Sequence, residues 1–200
     1  MFVQIIQAKV KDADGVRNAM EAWTSEVGPK AQGWLGTTAG ITSDGQLVAV
    51  ARFESEEIAM KNSDSPEQSK WWENFSQNLD GEASFFNSSG VSLSGAGGSD
   101  TAGFVQVMQG KVHDIEKAKA LDARMEQEMP NKRPDVIGSL TAYQDDGTFY
   151  SVIYFTSMEE ARQGEKEMSE NPPPEMEEWG QLMQGEMKFH DLEEPVLASP

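Results

Sequence analysis

The sequence predicts an α+β protein made of two ferredoxin-like repeats, and an internal duplication is the first observation behind this prediction. Residues 2–10 read FVQIIQAKV and residues 104–112 read FVQVMQGKV, with six identities in nine positions. The offset of 102 residues still holds at Ala59 and Ala161. Because solenoid repeats have periods of roughly 20–50 residues, each copy is expected to be a domain-sized unit.

The second observation is the composition of the junction between the copies. Residues 92–103 read SLSGAGGSDTAG, a run of small residues that builds no core and suits a linker. We therefore predict a first repeat at 1–93, a Gly/Ser-rich linker at 94–102 and a second repeat at 103–197.

The third observation is that both copies show the same order of strand and helix patterns. In the first copy, the β-rich residues 2–10 precede a helix over 15–27, which Asp12 or Asp14 caps. The apolar residues of this helix recur at helical spacing, at Val16, Met20, Trp23 and Val27.

The rest of the first copy contains a hairpin, two helices and a last strand. Strands over 34–42 and 46–54 flank an Asp-Gly step, which is a strong hairpin signal. Ser55 then caps a second helix. A short helix that carries Trp72 and a strand over 82–87 complete the copy.

The second copy repeats this order of elements. After its first strand it has a helix over 115–129, strands over 136–144 and 148–156, a helix capped by Ser157, a short helix with Trp179, and a strand over 186–191. The order β-α-β-β-α-β is the split βαβ, or ferredoxin-like, unit.

The strands of each predicted sheet are apolar on both faces. Along 47–53, Val48, Val50 and Arg52 point to one face, and Leu47, Ala49, Ala51 and Phe53 point to the other. Helices cover only one face of such a unit, so something must cover the other. We predict that the two repeats pack sheet to sheet within the chain, as a pseudo-dimeric α+β barrel.

Composition excludes several classes of function. The chain has 16 Lys+Arg against 34 Asp+Glu, a net charge of −18, and it shows no basic stripe for nucleic acid or an anionic membrane. With no cysteine and only two histidines, it offers no thiol chemistry and no ligand spacing for a metal. The absence of a leader pattern and of a long apolar run predicts a cytoplasmic protein.

The arrangement of these elements resembles the dimeric α+β barrel superfamily, and within it the antibiotic-biosynthesis-monooxygenase-like proteins. The resemblance lies in the strand end at 52–57, RFESEE, followed by Ser65-Pro66 and Trp72, and in the matching YFTSMEEA at 154–161 followed by Pro174 and Trp179. It covers nearly all of both copies and implies a tandem fused form of a fold that is a dimer elsewhere.

The resemblance also implies where a site is expected. Oxygenases of this family bind a planar aromatic substrate between sheet and helices, with polar side chains on the first strand, near the end of the second long helix and further along. By position, these are Gln4 or Ile6, Asn62 and Trp72. The Asn–Trp–His set of the haem-degrading members is not present in this chain.

In the second copy, Gln106 matches the first-strand position and Gly164 matches Asn62. Tyr154 is equivalent to Arg52, and His190 is equivalent to Phe86. The copies therefore differ where a site is expected, which predicts one working pocket and one degenerate one.

Each of these residues also has a structural interpretation. The two glutamines can be satisfied across neighbouring strands, Arg52 can pair with a carboxylate or reach solvent, and Asn62 can end its helix. Trp71, Trp72 and Trp179 can pin the short helices to the sheet or line an aromatic-stacking cavity. His190 is a general base or haem ligand in the functional interpretation, and a metal site is not expected.

Two functional hypotheses follow, and whether the protein is an enzyme stays open between them. The first is a small-molecule-binding protein that oxygenates a planar phenolic or quinol-type compound without a cofactor. Arg52, Asn62 and Trp72 are then the catalytic residues, and the ligand-binding residues are Gln4, Gln106, Tyr154, Trp179 and His190. The alternative is a non-catalytic interaction or sensing module, and the volume of the cavity discriminates between the two.

Overall fold

The structure is a computed structural model that describes residues 1–95 and 97–200. Ala96, which falls in the predicted linker, and the side chains of residues 128–131 lie outside the described residues. The chain divides into two compact units. The first comprises Met1–Ser89 and Glu194–Pro200, and the second comprises Gly90–Glu193.

The elements confirm the predicted order in both halves. Those up to residue 89 are β1 (Phe2–Lys9), α1 (Ala13–Ala22), β2 (Trp34–Ile41), β3 (Gln46–Phe53), α2 (Glu56–Ser63), α3 (Pro66–Ser76) and β4 (Ser84–Ser88). They are followed by β5 (Gly90–Ser94), β6 (Phe104–Lys111), α4 (Ile115–Lys132), β7 (Val136–Tyr143), β8 (Thr148–Phe155), α5 (Met158–Glu170), α6 (Pro174–Leu182), β9 (Lys188–Leu192) and β10 (Val196–Ala198). A π-helical turn at Trp23–Val27 and a 3-10 turn at Gly28–Lys30 extend α1.

Each unit contains a five-stranded antiparallel sheet rather than the four strands predicted. The strand order is β10-β2-β3-β1-β4 in the first unit and β5-β7-β8-β6-β9 in the second. The pairing of Ile5 with Phe86 and of Val107 with His190 confirms that these positions are equivalent in the two units.

The fifth strand of each sheet moves the unit boundaries away from the predicted ones. The first repeat was expected to extend to residue 93, but β5 pairs with β7 and belongs to the second unit. In the same way, β10 follows β9 in sequence but pairs with β2 of the first unit. The packing of the two sheets against each other stays a prediction.

Local signals place the helices as the sequence suggested. The Asp12 carboxylate accepts from the Gly15 amide, so Asp12 rather than Asp14 is the N-cap of α1. Ser55 and Ser157 cap α2 and α5. The fourth helix was expected to end at residue 129, but α4 continues to Lys132. No helix among the described residues is both long and apolar enough to span a membrane.

Candidate functional site

A cavity of about 80 Å³ lies in the first unit, between the sheet and its helices. Its floor is formed by residues of β1, β2, β3 and β10, and its walls by α1, the π-helical turn, α2 and α3. Ser63, Asn62 and Gln68 are exposed or half-buried, so they mark its solvent-facing end. We call this space the first-unit cavity.

Aromatic rings make up much of the cavity wall. Trp23 is 8% exposed and stands edge-on to Trp34, with ring centroids 5.1 Å apart. Trp71 stacks on Phe75 at 4.7 Å, and its indole N–H donates to the Ala19 carbonyl at 2.6 Å. These contacts fix the rings in place, so the cavity offers preformed faces for another aromatic ring.

The π-helical turn positions Trp23 and Thr24 in the wall. At this turn the Gly28 amide donates to the Trp23 carbonyl, five residues earlier, which widens the helix locally. Gly28 lies against the Trp23 ring, and a β-carbon on Gly28 would come within 2.9 Å of it. Glycine at position 28 therefore allows the indole to lie flat against the backbone.

Neutral polar groups supply the hydrogen-bonding capacity of the cavity. The Gln4 side-chain amide donates to Asn87 Oδ1 at 3.0 Å. Both N–H bonds of Asn62 are used, to the Gln32 and Ile58 carbonyls, which leaves Asn62 Oδ1 as an acceptor. Gln68 accepts from the Trp23 indole at 2.8 Å, which leaves its own N–H groups as donors.

None of the described residues that line the first-unit cavity carries a formal charge. Burial of an ionised ligand without a counter-charge or several hydrogen bonds is costly. The cavity is therefore suited to an uncharged molecule.

Arg52 does not line this cavity, contrary to the site that the sequence suggested. It neighbours Ala51 in β3, and because Ala51 lines the cavity, Arg52 points to the opposite face of the sheet. Its side chain is buried, and its Nε has no hydrogen-bond partner among the described residues. The guanidinium lies against Gly36, where a β-carbon would come within 2.2 Å of Nη2.

Trp72 is also outside the cavity. It is half-buried on α3 and packs against Phe75 and Phe85, with 5.5 Å between the ring centroids in each pair. Its neighbour Trp71 lines the cavity instead. The structure thus brings Gln4 and Asn62 together but separates Arg52 and Trp72 from them.

In the second unit, the equivalent glutamine is locked into a charged network. The Gln106 amide donates to Glu165 Oε1 at 3.2 Å and to Asp191 Oδ1 at 3.0 Å. Arg162 pairs with the same two carboxylates and lies over the Phe104 ring at 5.2 Å. Both N–H bonds of Gln106 are therefore committed within the protein.

A second ion pair occupies the place that Asn62 has in the first unit. Arg133 donates to Asp135 at 2.7–3.3 Å, both side chains are buried, and the guanidinium lies 5.5 Å from the Phe155 centroid. A β-carbon on Gly164 would come within 2.3 Å of Arg133 Nε. The second unit therefore lacks the arrangement that forms the first-unit cavity.

The other predicted residues of the second copy do not converge on one site. Tyr154 is fully buried on the sheet face that is equivalent to that of Arg52. Trp179 packs on Phe149 at 5.5 Å and joins the core beneath α6, as its structural interpretation predicted. His190 lies on the same sheet face as Val107, opposite to Gln106.

Two further features concern metal binding and a larger cleft. The described residues contain no group of three or more His, Asp or Glu side chains placed to hold a metal ion. A cleft of about 280 Å³ lies beside Arg133 and Met168. We assign this cleft no function.

Sequence reasoning missed Trp23 and Gln68 of the cavity wall. Trp23 was placed in the apolar stripe of its helix, which is also where core residues lie. Gln68 carries no signal that separates it from other residues of an amphipathic short helix. A π-helical turn at a cavity could not be read from the pattern, because an extra residue in one helical turn leaves the apolar spacing almost unchanged.

Solved structures similar to this one over the whole chain share its fold. A "putative monooxygenase" from Lactobacillus acidophilus NCFM has a TM-score of 0.71 and 10% identity, with 99% of both chains covered. Another "putative monooxygenase", from Fusobacterium nucleatum, has a TM-score of 0.80 and 9% identity, over 99% of this chain and 94% of that one. An anthrone oxidase-like protein has a TM-score of 0.64 and 12% identity, over 99% of this chain and 92% of that one.

At these low identities the matches show the fold alone. They confirm the tandem, monooxygenase-like α+β fold that the resemblance predicted. No protein-family model and no curated protein matches the sequence.

Proposed function

We propose that the first unit binds a small, uncharged aromatic compound of the phenol or quinol type in the first-unit cavity. The observation that carries the proposal is the lining of this cavity, which combines fixed aromatic rings with neutral hydrogen-bonding groups and no formal charge among the described residues. Rings supply apolar contact, and a few polar groups set orientation, as in most small-molecule sites.

The volume limits the ligand to about one ring. Drug-sized ligands occupy roughly 300–1,000 Å³, and an apolar cavity of about 150 Å³ holds one benzene. The 80 Å³ present is smaller than this, so binding needs a side chain to move. Met20 lines the cavity and is the residue expected to rotate, because its unbranched thioether side chain adapts easily.

Hydroxyl groups on the ligand match the polar end of the cavity. A phenolic O–H can donate to Asn62 Oδ1, and the phenolic oxygen can accept from an N–H of Gln68. Asn62 is held by two main-chain carbonyls and Gln68 by the Trp23 indole, so neither must be reoriented on binding. Preorganisation of this kind reduces the entropic cost of association.

Calorimetric titration with phenol, catechol and hydroquinone tests this proposal, with benzoate as a charged ligand of similar shape. We expect saturable binding of the neutral compounds at one site per chain, and none of benzoate. Asn62→Gly, which installs the residue of the second copy, is expected to weaken binding roughly 3- to 10-fold, the contribution of one hydrogen bond.

Two further variants make the titration decisive. Asn74→Ala removes an exposed amide of α3 outside the cavity and controls for general effects. Arg52→Met tests whether binding needs Arg52, the residue that the sequence suggested. We expect binding to be unchanged, because Arg52 points away from the cavity. Absence of binding by all three phenols would refute the proposal, and loss of binding only in Arg52→Met would move the site to the other face of the sheet.

Oxygenation of the bound compound is a second candidate function, favoured by the names of the structural neighbours. Hydroquinone reacts with O₂ to give hydroxybenzoquinone and water, and the substrate supplies all four electrons. None of the described residues lining the cavity is titratable, so water must take the substrate proton.

Oxygen uptake with hydroquinone separates these two functions. Enzymatic oxygenation predicts uptake above the uncatalysed rate, equal to the hydroquinone consumed and without release of hydrogen peroxide, and a slower rate in Asn62→Gly. Binding of phenols without any such uptake would instead assign small-molecule binding without catalysis.

A further inference from the structure

The second unit contains its own cavity, of about 100 Å³, beside the helix α4. Its lining includes Asp122 and Lys119 of α4, Ser92 and Ser94 of β5, and Ser139 and Thr141 of β7. All these residues belong to the second unit. We call this space the second-unit cavity.

The second-unit cavity lies at the position equivalent to one end of the first-unit cavity. Polar residues stand here in the second unit where the first unit has apolar ones. Asp122 is equivalent to Met20, and Ser92 is equivalent to Val196, because Ser92 pairs with Thr141 as Val196 pairs with Ala39. Both Met20 and Val196 line the first-unit cavity. The apolar-to-polar exchanges around this position are Met20 to Asp122, Ala39 to Thr141, Ile41 to Tyr143, Val196 to Ser92 and Ala198 to Ser94.

Asp122 has one free oxygen at this cavity. The Tyr143 hydroxyl donates to Asp122 Oδ2 at 2.6 Å, while Oδ1 has no partner among the described residues. The Ser92, Ser94 and Ser139 hydroxyls likewise have no hydrogen-bond partner in the described part of the chain. Four polar groups without a hydrogen-bond partner among the described residues therefore surround this cavity.

No cation in the described part of the protein neutralises Asp122. Lys119 also lines the cavity, but its ammonium lies 3.1 Å from Glu116. Arg124, also on α4, pairs with Glu178 of α6. Glu126, at the cavity, and Tyr143 are the other titratable groups around it, and neither is a cation. Burial raises the pKa of Asp122 to about 6, so the carboxyl is mostly ionised at neutral pH.

We propose that the second-unit cavity binds a small organic cation with N–H donors, such as a primary ammonium compound. The ammonium group donates to Asp122 Oδ1 and to serine hydroxyls, and it supplies the counter-charge that the described residues do not. The second unit has nine basic and 20 acidic residues, so its field also attracts a cation. This site does not depend on the function proposed for the first unit.

Three probes of graded chemistry test the proposal by NMR titration at pH 7.5 and constant ionic strength. Propylammonium carries charge and N–H donors, tetramethylammonium carries charge alone, and 1-propanol carries neither charge nor an N–H group. We expect propylammonium to shift the amides of residues 92–94, 122 and 139 saturably, tetramethylammonium to bind more weakly, and 1-propanol not to bind. Equal binding of the two cations, or no saturable binding, overturns the proposal.

Substitutions then locate the site. Asp122→Met installs the residue of the first unit and is expected to weaken propylammonium binding roughly ten- to a hundredfold, the value of a hydrogen bond to a charged group. Glu186→Gln removes the same charge from an exposed position outside the cavity and should leave binding unchanged. Ser139→Ala is a second, milder variant, expected to weaken binding without loss of the fold. Unchanged binding in both Asp122→Met and Ser139→Ala overturns the proposal.

The pH dependence gives an independent readout. At pH 5 a carboxyl with a pKa near 6 is about nine-tenths protonated, so propylammonium affinity is expected to fall about tenfold from its value at pH 7.5. Exposed carboxylates with ordinary pKa values stay mostly ionised at pH 5. An affinity that is equal at the two pH values would assign the binding to the surface charge of the protein and overturn the site.

Discussion

Asn62 and Gly164 occupy the same position in the two repeats, and their neighbours explain why they differ. In the first unit, Ala31 stands at the place of Arg133 and leaves room for the Asn62 side chain. In the second unit, Arg133 fills that room, and a β-carbon on Gly164 would meet its Nε at 2.3 Å. The two positions therefore differ as a pair, Ala with Asn in the first unit and Arg with Gly in the second.

This coupling predicts a strong interaction between substitutions at 133 and 164. We expect Gly164→Ala to destabilise the protein by roughly 2–4 kcal/mol, because the new methyl group displaces a buried, paired guanidinium. In the Arg133→Ala/Asp135→Ala background, which removes the ion pair, the same change should be neutral or stabilise by up to about 1 kcal/mol, as Gly→Ala does within a helix.

Urea denaturation of the four proteins in this cycle measures the coupling free energy. Gly180→Ala is the matched control, since that glycine also lies in a helix of the second unit, and a β-carbon added there would have no described atom within 4 Å. An equal cost of Gly164→Ala in both backgrounds would show that Arg133 is not what excludes a side chain there.

A residue of the candidate site could be predicted from the sequence only where its place in a strand or helix determines which way its side chain points. The family resemblance alone selects Gln4 and Asn62, and both line the first-unit cavity. Arg52 is a candidate because its guanidinium can bind an anion. Successive side chains of a strand point to opposite faces of the sheet, however, and this alternation places Arg52 on the face away from the cavity. Trp23 was missed because an apolar stripe does not distinguish a core from a cavity wall.

At the scale of elements, the same stretch of sequence takes two forms in the two repeats. In the second unit, α4 runs without interruption from Ile115 to Lys132. The equivalent residues 13–30 form an α-helix, a π-helical turn and a 3-10 turn in succession. The irregular turns occur where Trp23 and Thr24 line the cavity, and such turns are frequent at functional sites.

Gly28→Ala tests whether this geometry shapes the first-unit cavity. The backbone at Gly28 is helical and Pro29 follows, so an alanine β-carbon would be crowded by the proline ring, and it would also lie 2.9 Å from the Trp23 ring. The indole must move, and with it the hydrogen bond to Gln68. We expect phenol affinity to fall roughly 2- to 10-fold, the value of one aromatic contact.

Calorimetry and the near-ultraviolet circular dichroism of the tryptophans together measure this effect. Gly180→Ala is again the control, because its new methyl group meets no described neighbour. Unchanged phenol affinity despite an altered tryptophan spectrum would show that Trp23 is not part of the binding surface.

Most helices and strands could be predicted from local sequence patterns, and β5 and β10 are the exceptions. The Asp-Gly hairpins and the Ser caps are local signals, and the structure confirms them. By contrast, β5 was assigned to the first repeat, up to residue 93, and β10 was not predicted. Their partners, β7 and β2, are far away in sequence, so no local pattern indicates the pairing.

At the scale of the whole molecule, the first unit depends on a segment that is distant in sequence, whereas the second unit is one continuous stretch of chain. The first unit takes β10 from the end of the chain, after all the elements of the second unit. There Val196, Leu197 and Ala198 pair with Ala39, Thr38 and Thr37, and Val196 reaches the wall of the first-unit cavity.

Deletion of residues 194–200 is therefore expected to destabilise the first unit and not the second. The loss comprises the burial of Val196 and the β10–β2 hydrogen bonds, together roughly 2–4 kcal/mol. Hydrogen exchange resolves the two units: amides of β2 and β3 should lose protection, while those of β7 and β8 keep theirs. Phenol binding should weaken, and propylammonium binding should persist, because β10 lines only the first-unit cavity.

A chain that ends at Ala198 is the matched control, since it is shortened but retains β10. If it behaves as the full chain does, the effect of the larger deletion belongs to the strand and not to the terminus. Equal loss of protection in both units would mean that they unfold as one cooperative body, and the strand would then act on the whole chain. Full protection of β2 in the deleted chain would show that its edge needs no partner.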